Sequence, residues 1–458
     1  DKIIKRANEA GEDPIHLASR FADEFHVDMD ALGILRPDVE PRVSTHMPEI
    51  IAFVSDLIDK GFAYQVPSSS TVEGAGSDVY FRVQKFGERY VQLSGKSLED
   101  LVEGARARVH SDERKEDIGD FALWKSAKPS EPFWQSPFGK GRPGWHIECS
   151  AMSEKHLGVT FDIHCGGKDL IFPHHSNEIA QSECRHDGAV MARYWLHNGF
   201  VSIEAEEGDD ADLVDEIVDD KGKRTKVTKM SKSLGNFFTI RDVLKVHTAE
   251  ALRMLLLGTH YRAPIAYGLR LLDEAERRIH ALYETKRKIA RYLKKTPAED
   301  GPSVEHVFSK PGAEFRPMQH FSEGMDDDFN TPEAVAALYE IVTVANLLVD
   351  GKEKERIGHN LTPPKRACLL REATHLIEQM TAVLGVGQRD PSEFLEQQRV
   401  LRMKARGIDA ELVKQRLDER AAAKDRKDYA AADAARDSLI ALGVEVRDTP
   451  EGVEWSVV

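Results

Sequence analysis

The chain has 458 residues, more than one domain usually holds, so two to four domains are expected. Hydrophobic residues make up 41% of it, enough for sizeable cores, and no apolar run looks long enough to span a bilayer, so no membrane partner is expected. A formal net charge of −15 argues against a purely electrostatic nucleic-acid binder without excluding a local basic face.

Residues 1 to about 60 read as helices, with "EFHVDMDALGILRP" ending at Pro37 and "MPEIIAFVSDLIDKGFAY" apolar at i, i+3, i+4 and i+7. From Val66 the texture changes: "VPSSSTVEGAGS" is a polar loop, "DVYFRV" alternates like a strand, and a charged helix-then-loop passage follows, as in an insertion. Between 132 and 248, strand-like runs ("VTFDIHCGG", "FVSI") alternate with helical ones, the pattern of a parallel α/β sheet. From Ala249 to Gly385 nearly everything is helical, which predicts a bundle. The last sixty or so residues read as a charged helical pair and a tail, "VEVRDTPEGVEWSVV", with the pattern of a hairpin. These textures divide the chain into 1–65, 66–131, 132–248, 249–388 and 389–458. Four cysteines, Cys149, Cys165, Cys184 and Cys368, are too few and too unevenly placed for a disulfide framework, so a reduced, cytoplasmic protein is expected.

Chemistry concentrates in the middle. "GRPGWHIECSAM" puts Cys149 near the start of a helix, after a Gly/Pro turn. "FPHHSNEIAQSE" begins another, with Pro173 suited to its first position, so that His174 and Glu178 fall at i and i+4 on one face. Thiolate, imidazole and carboxylate are a plausible zinc set. Taken alone, an i,i+4 His/Glu pair is more often an ordinary pair of helix neighbours, and a lone Cys a small buried hydrophobe. The neighbouring "DIHCGGKDL" shifts that balance, because a strand ending in glycines before a helix is where doubly wound sheets bind ligands. Cys165 and Cys184 have no comparable partners and read as structural. "KVTKMSKSLGNFF", from Lys226 to Phe238, is open to two readings, a solvated loop or a mobile clamp for polyphosphate.

"GRPGWHIECSAM", "FDIHCGGKDLIFPHHSNEIAQSE", "KMSKSLGNFFTIRDVL" and "MDDDFNTPEA" closely resemble the cysteinyl-tRNA synthetases, class I enzymes, and the similarity runs in order along essentially the whole sequence. The resemblance implies an α/β Rossmann-type catalytic domain with an α+β insertion, then a stem-contact region and helical bundle, and a C-terminal anticodon-binding domain. It implies that ATP and L-cysteine form cysteinyl-adenylate, whose cysteinyl group passes to the 3′ end of tRNA(Cys). Carried over residue by residue, Cys149, His174 and Glu178 match three of four ligands of a single zinc ion. Lys232 matches the residue contacting ATP, with Lys229, Met230, Ser231 and Ser233 completing the loop; Lys229 and Lys232 are the catalytic candidates. Gly167 and Asp169 fall to the ATP site, Asp169 facing either the ribose or the substrate ammonium, and Trp145 and His164 look like walls of the cysteine pocket. Magnesium with the ATP and a monomeric, cytoplasmic enzyme complete the expectation. With these motifs counted, the lysine run reads as a clamp.

The sequence also departs from the family. The HIGH-type histidine signature and a fourth, cysteine ligand to zinc belong upstream of the position matching Asp1. The expectation is therefore that the working enzyme carries roughly sixty to eighty more N-terminal residues, about one βαβ unit, and that a protein beginning at Asp1 is poorly soluble and inactive. The family's "HGGG" reads "HCGG", putting Cys165 beside the pocket. The acidic insert Glu204 to Asp220 reads as a disordered, solvated loop. Two other functions were compatible with parts of the pattern: the mycothiol-pathway cysteine ligase, which lacks the anticodon-binding domain, and a non-catalytic tRNA-binding remnant. Lys404, Arg406, Lys414, Arg416, Arg420, Lys424, Arg426 and Lys427, interleaved with acids, read singly as a solvated helix face and together as candidates for phosphate contacts, with Trp455 either a base-stacking platform or a core anchor.

Overall fold

A computed structural model describes residues 2–95, 97, 114–205, 214–218, 224–228, 238–310, 313–449 and 452–457. Contacts divide the chain into two compact units, one of Asp1–Asp30 with Ile34–Phe200 and one of Ala31–Gly33 with Val201–Val458.

The first unit opens with three helices, α1 (Lys2–Ala10), α2 (Pro14–Ala31) and α3 (Met47–Asp59). Only α3 is strongly buried. Its Met47, Ile50, Phe53, Val54 and Leu57 recur at helical spacing and pack against an antiparallel sheet. That sheet runs β1 (Ala63–Pro67), β2 (Ser77–Phe81), β3 (Phe121–Ser126) and β4 (Gly141–Pro143), in that order. Val79, Phe81, Leu123 and Trp124 supply its share of the core. Helix α4 (Trp145–Leu157) starts directly against β3: a Cβ on Gly144 would stand 1.9 Å from the Ala122 carbonyl oxygen, so only glycine allows this approach. Then come β5 (Phe161–Gly167), α5 (Ser176–Arg185) and β6 (Ala192–Asn198), with β5 and β6 parallel and His164 opposite Trp195.

The parallel pattern expected from 132 to 248 is local. Among the described residues it comprises β5·β6 and the pair of β7 (Val201–Glu204) with β10 (Ile265–Tyr267). Strands β8 (Val214–Val218) and β9 (Arg224–Thr228) join the second unit's sheet antiparallel, in the order β10-β7-β9-β8. The acidic insert is therefore not wholly a disordered loop. Its Val214–Val218 pairs with a basic strand, Glu216 opposite Lys226, and Arg224 lies 3.1 Å from Glu216. Composition alone missed this because the compensating charge lies on the partner strand.

The bundle is built from α6 (Ala249–Leu257), α7 (Leu269–Lys295), α8 (Pro317–Asp326), α9 (Thr331–Asp350) and α10 (Pro363–Leu384). Ile279, Leu282, Leu338, Ile341, Ala345, Leu370, Ile377 and Met380 form its centre. Helix α9 corrects one expectation: at 20 residues and a mean hydropathy of 1.4 it is long and apolar enough to cross a membrane. Its Ala334, Leu338, Ile341 and Ala345 are fully buried among the other helices, which accounts for that composition.

Beyond Gln388 the expected helical pair is three helices, α11 (Pro391–Ala405), α12 (Ala410–Asp425) and α13 (Tyr429–Ala441). The tail is the expected hairpin, β11 (Val444–Thr449) with β12 (Gly452–Val457). Met403, Val413, Leu439, Val444 and Val457 form a small core there.

Candidate active site

Two helices and one strand of the first unit converge on a buried carboxylate. Phe172 is extended (φ −139°, ψ 132°), helical geometry begins at Pro173, and the turn runs on into α5. His174, His175 and Glu178 thereby enter the interior, all at most 4% exposed, with Glu178 fully buried. The i,i+4 spacing brings His174 Nε2 to 2.9 Å from Glu178 Oε1. From β5, His164 Nε2 lies 3.5 Å from Glu178 Oε2. Neither approach has hydrogen-bond alignment, and both Glu178 oxygens are left without a hydrogen-bond partner. Helix α4 adds Cys149, and the ligand atoms of Cys149, His174 and Glu178 all lie within 4.8 Å of one another.

An ionised carboxylate out of water without partners costs several kcal/mol. A divalent cation held by the thiolate, the imidazole and the carboxylate would offset that cost, so the residues present fit zinc. Without a cation, burial and the negative Glu178 beside it push the Cys149 thiol up to about 12. Burial also raises Glu148 to about 7 and holds His146 down at about 3. His175 is likewise held at about 3, by burial and by its neighbours His164 and His197. His164 is lowered by burial, with Glu178 opposing.

The other expected residues distribute as follows. Trp145 is 58% exposed, its ring 4.4 Å from that of His174, so it stands at the mouth of this cluster. The His164 ring lies against Trp195 (4.6 Å) and edge-on to His175 (4.7 Å). Asp169 is exposed just beyond β5 and close over Gly167, where a Cβ would stand 2.4 Å from Asp169 Oδ1. Lys229, Met230, Ser231, Lys232 and Ser233 lie outside the described residues. Their described flanks are β9, ending at a buried Thr228, and a capping box between Thr239 and Asp242. Cys184 belongs to the core of this unit, while Cys165 is exposed on β5.

Sequence reasoning passed over the outer histidines. His146 Nδ1 lies 2.8 Å from His174 Nδ1, and His197 Nε2 lies 2.8 Å from His175 Nδ1. Each inner imidazole is thus oriented by an outer one, leaving its Nε2 for other work. The available signal was the repetition of histidine beside each motif, in "GWHIEC", "PHHS" and "WLHN".

The model of the class I (C) tRNA synthetase catalytic domain matches residues 1–277, well over half of the chain. The cysteine–tRNA ligase of Anaeromyxobacter dehalogenans strain 2CP-C is 50% identical over 461 residues, covering 100% of this chain and 85% of that protein. This chain belongs to the cysteine–tRNA ligases. The enzyme of that name from Oleidesulfovibrio alaskensis is 45% identical over 457 residues, with the same two coverages of 100% and 85%. The DALR domain model matches residues 320–388, which span α8 to α10. Among solved structures, Mycobacterium tuberculosis methionyl-tRNA synthetase with methionyl-adenylate aligns at a TM-score of 0.56 and 14% identity. That alignment covers 86% of this chain and 83% of the other, and shows a shared fold. The cysteine–tRNA ligase is a class I aminoacyl-tRNA synthetase, an enzyme of protein biosynthesis that joins cysteine to tRNA. The amino-sugar ligase is not the family identified.

Proposed function

We propose that this cysteine–tRNA ligase binds one zinc ion tightly through Cys149, His174 and Glu178 and uses it to select its amino acid. The observation that carries this reading is the fully buried Glu178 carboxylate, with both oxygens lacking hydrogen bonds and a thiol and an imidazole in reach. Cysteine and serine differ by one atom, and an apolar pocket separates such near-isosteres weakly. Zinc bound there would favour a thiolate over a hydroxyl and lower the thiol's pKa.

The protein's own residues do the positioning. His146 fixes the ring of His174, and Trp145 and His164 flank the cluster as walls for the cysteine side chain. Lys229 to Ser233 act as the ATP clamp, with Lys229 and Lys232 as its catalytic cations, and Gly167 and Asp169 complete the nucleotide side. Attack of the substrate carboxylate on the α-phosphate, with pyrophosphate leaving, builds charge on phosphoryl oxygens that positioned lysines stabilise, and magnesium bound with the ATP would add to that stabilisation. The cysteinyl group then passes to the 3′ end of tRNA(Cys). Residues 389–458 are the proposed anticodon-binding domain, and a monomer in the cytoplasm is the proposed working form.

Cys149→Ser tests the assignment. It should lower zinc content and raise KM for cysteine at least tenfold while moving KM for ATP little. Wild-type zinc content together with wild-type cysteine KM would overturn it.

A further inference from the structure

The tight site accounts for Cys149, His174 and one side of Glu178, and a second set of groups faces the other side. His164, His175 and Glu178 also place one ligand atom each within 4.8 Å of one another. Glu178 Oε2 is fully buried, lacks a hydrogen bond and lies 3.5 Å from His164 Nε2. His175 repeats the arrangement of His174: its Nδ1 is engaged by an outer imidazole, His197 at 2.8 Å, which turns its Nε2 inward. That is the way metal-ligating histidines are usually oriented. Gly166 permits the close packing, since a Cβ there would stand 2.6 Å from His175 Cε1.

We infer that His164, His175 and Glu178 form a second, weaker divalent-cation site, with Glu178 bridging it to the cysteine-selective one. Two imidazoles and a carboxylate oxygen suit zinc or cobalt, and carboxylate-bridged pairs with metals about 3.5–4 Å apart are a known arrangement. Lacking a thiolate, the second site binds more weakly. Because it includes His164, a cation there occupies space proposed for cysteine, so its filling is inhibitory. The inference shares the ligand Glu178 with the tight-site reading and His164 with the proposed cysteine pocket.

Titrating the metal-free protein with Co²⁺ tests it, because a thiolate charge-transfer band reports the tight site with Cys149, and the second set holds two imidazoles and a carboxylate. The wild type should bind two equivalents, the second adding visible ligand-field absorption without further charge-transfer intensity. His175→Gln should bind one equivalent and keep the charge-transfer band, which also reports an intact fold. Cys149→Ser should weaken that band and retain the second equivalent, which adding His175→Gln removes. A wild-type protein saturated by one equivalent would overturn the inference, leaving Glu178 bidentate to a single ion. So would a second equivalent that survives His175→Gln, or no Co²⁺ binding by a folded Cys149→Ser protein. Failure of the tight-site reading looks different: no charge-transfer band in the wild type, with the His175-dependent equivalent still readable.

Discussion

At the residue scale, glycines decide how closely the site can pack. Gly166 is the sharpest case, because its missing Cβ makes room for a His175 ring that is 1% exposed and has nowhere to retreat. Gly166→Ala should therefore displace that ring and lower stability by about 1–3 kcal/mol, the usual cost of overpacking. It should also raise KM for cysteine, which a cysteine-dependent pyrophosphate-exchange assay reads directly; unchanged stability and KM would mean that β5 relaxes freely. The pairing of His174 with Glu178 was legible from their spacing, since four residues is about one turn. The approach of Cys149 and the facing of His164 depend on how α4, α5 and β5 meet, which no spacing encodes. Trp455, open to two readings from sequence, is half-buried on the C-terminal core under the Arg399 guanidinium, 4.1 Å from its ring centroid. That favours the anchor.

At the element scale, the C-terminal helices start on aspartate caps that a reading by charge passed over. Asp390, Asp409 and Asp428 each accept backbone N–H bonds at the start of α11, α12 and α13. The charged stretch left a solvated face and phosphate contacts both open, and part of it is committed internally. Arg420, only 5% exposed, makes two bonds of 3.0 and 2.7 Å to Asp448 on β11, and Lys424 reaches the same carboxylate at 2.6 Å. Arg416 lies 2.7 Å from Glu419. Arg420 and Lys424 thus tie α12 to β11, while Arg416 is paired within α12 itself. Arg420 and Lys424 keep the Asp448 carboxyl well below the usual carboxylate range. A depressed pKa stabilises the fold fully above the unfolded value, about 4, and that contribution is lost as pH falls below it towards the folded value. Asp448 is half exposed, so solvent screening limits the effect: Asp448→Asn should cost about 1–2 kcal/mol. Hydrogen exchange of the β11–β12 amides checks this. Protection should fall in the variant at neutral pH and converge with the wild type in acid; equal protection at neutral pH would remove the pair from the account.

At the scale of the whole molecule, the order of textures along the chain revealed the fold class, and long-range pairing produced its surprises. Strand β8 hid in an acidic run because its partner charges are on the neighbouring β9, and α9 is rich in apolar residues because one broad side of it packs into the bundle. Removing the segment after Gln388 should weaken aminoacylation and blunt discrimination among anticodon-mutant tRNAs while sparing pyrophosphate exchange, since base contacts specify and phosphate contacts position. Unchanged discrimination would move anticodon recognition elsewhere, the DALR segment 320–388 being the next place to look. The central claim is that the cluster around Glu178 holds the metal that reads the substrate's sulfur. X-ray absorption at the zinc edge of the purified protein tests it most directly. Adding L-cysteine should increase the sulfur coordination of zinc by one atom, adding L-serine should leave it unchanged, and Cys149→Ser should lower the count before either is added. A sulfur count that L-cysteine does not change would contradict the account.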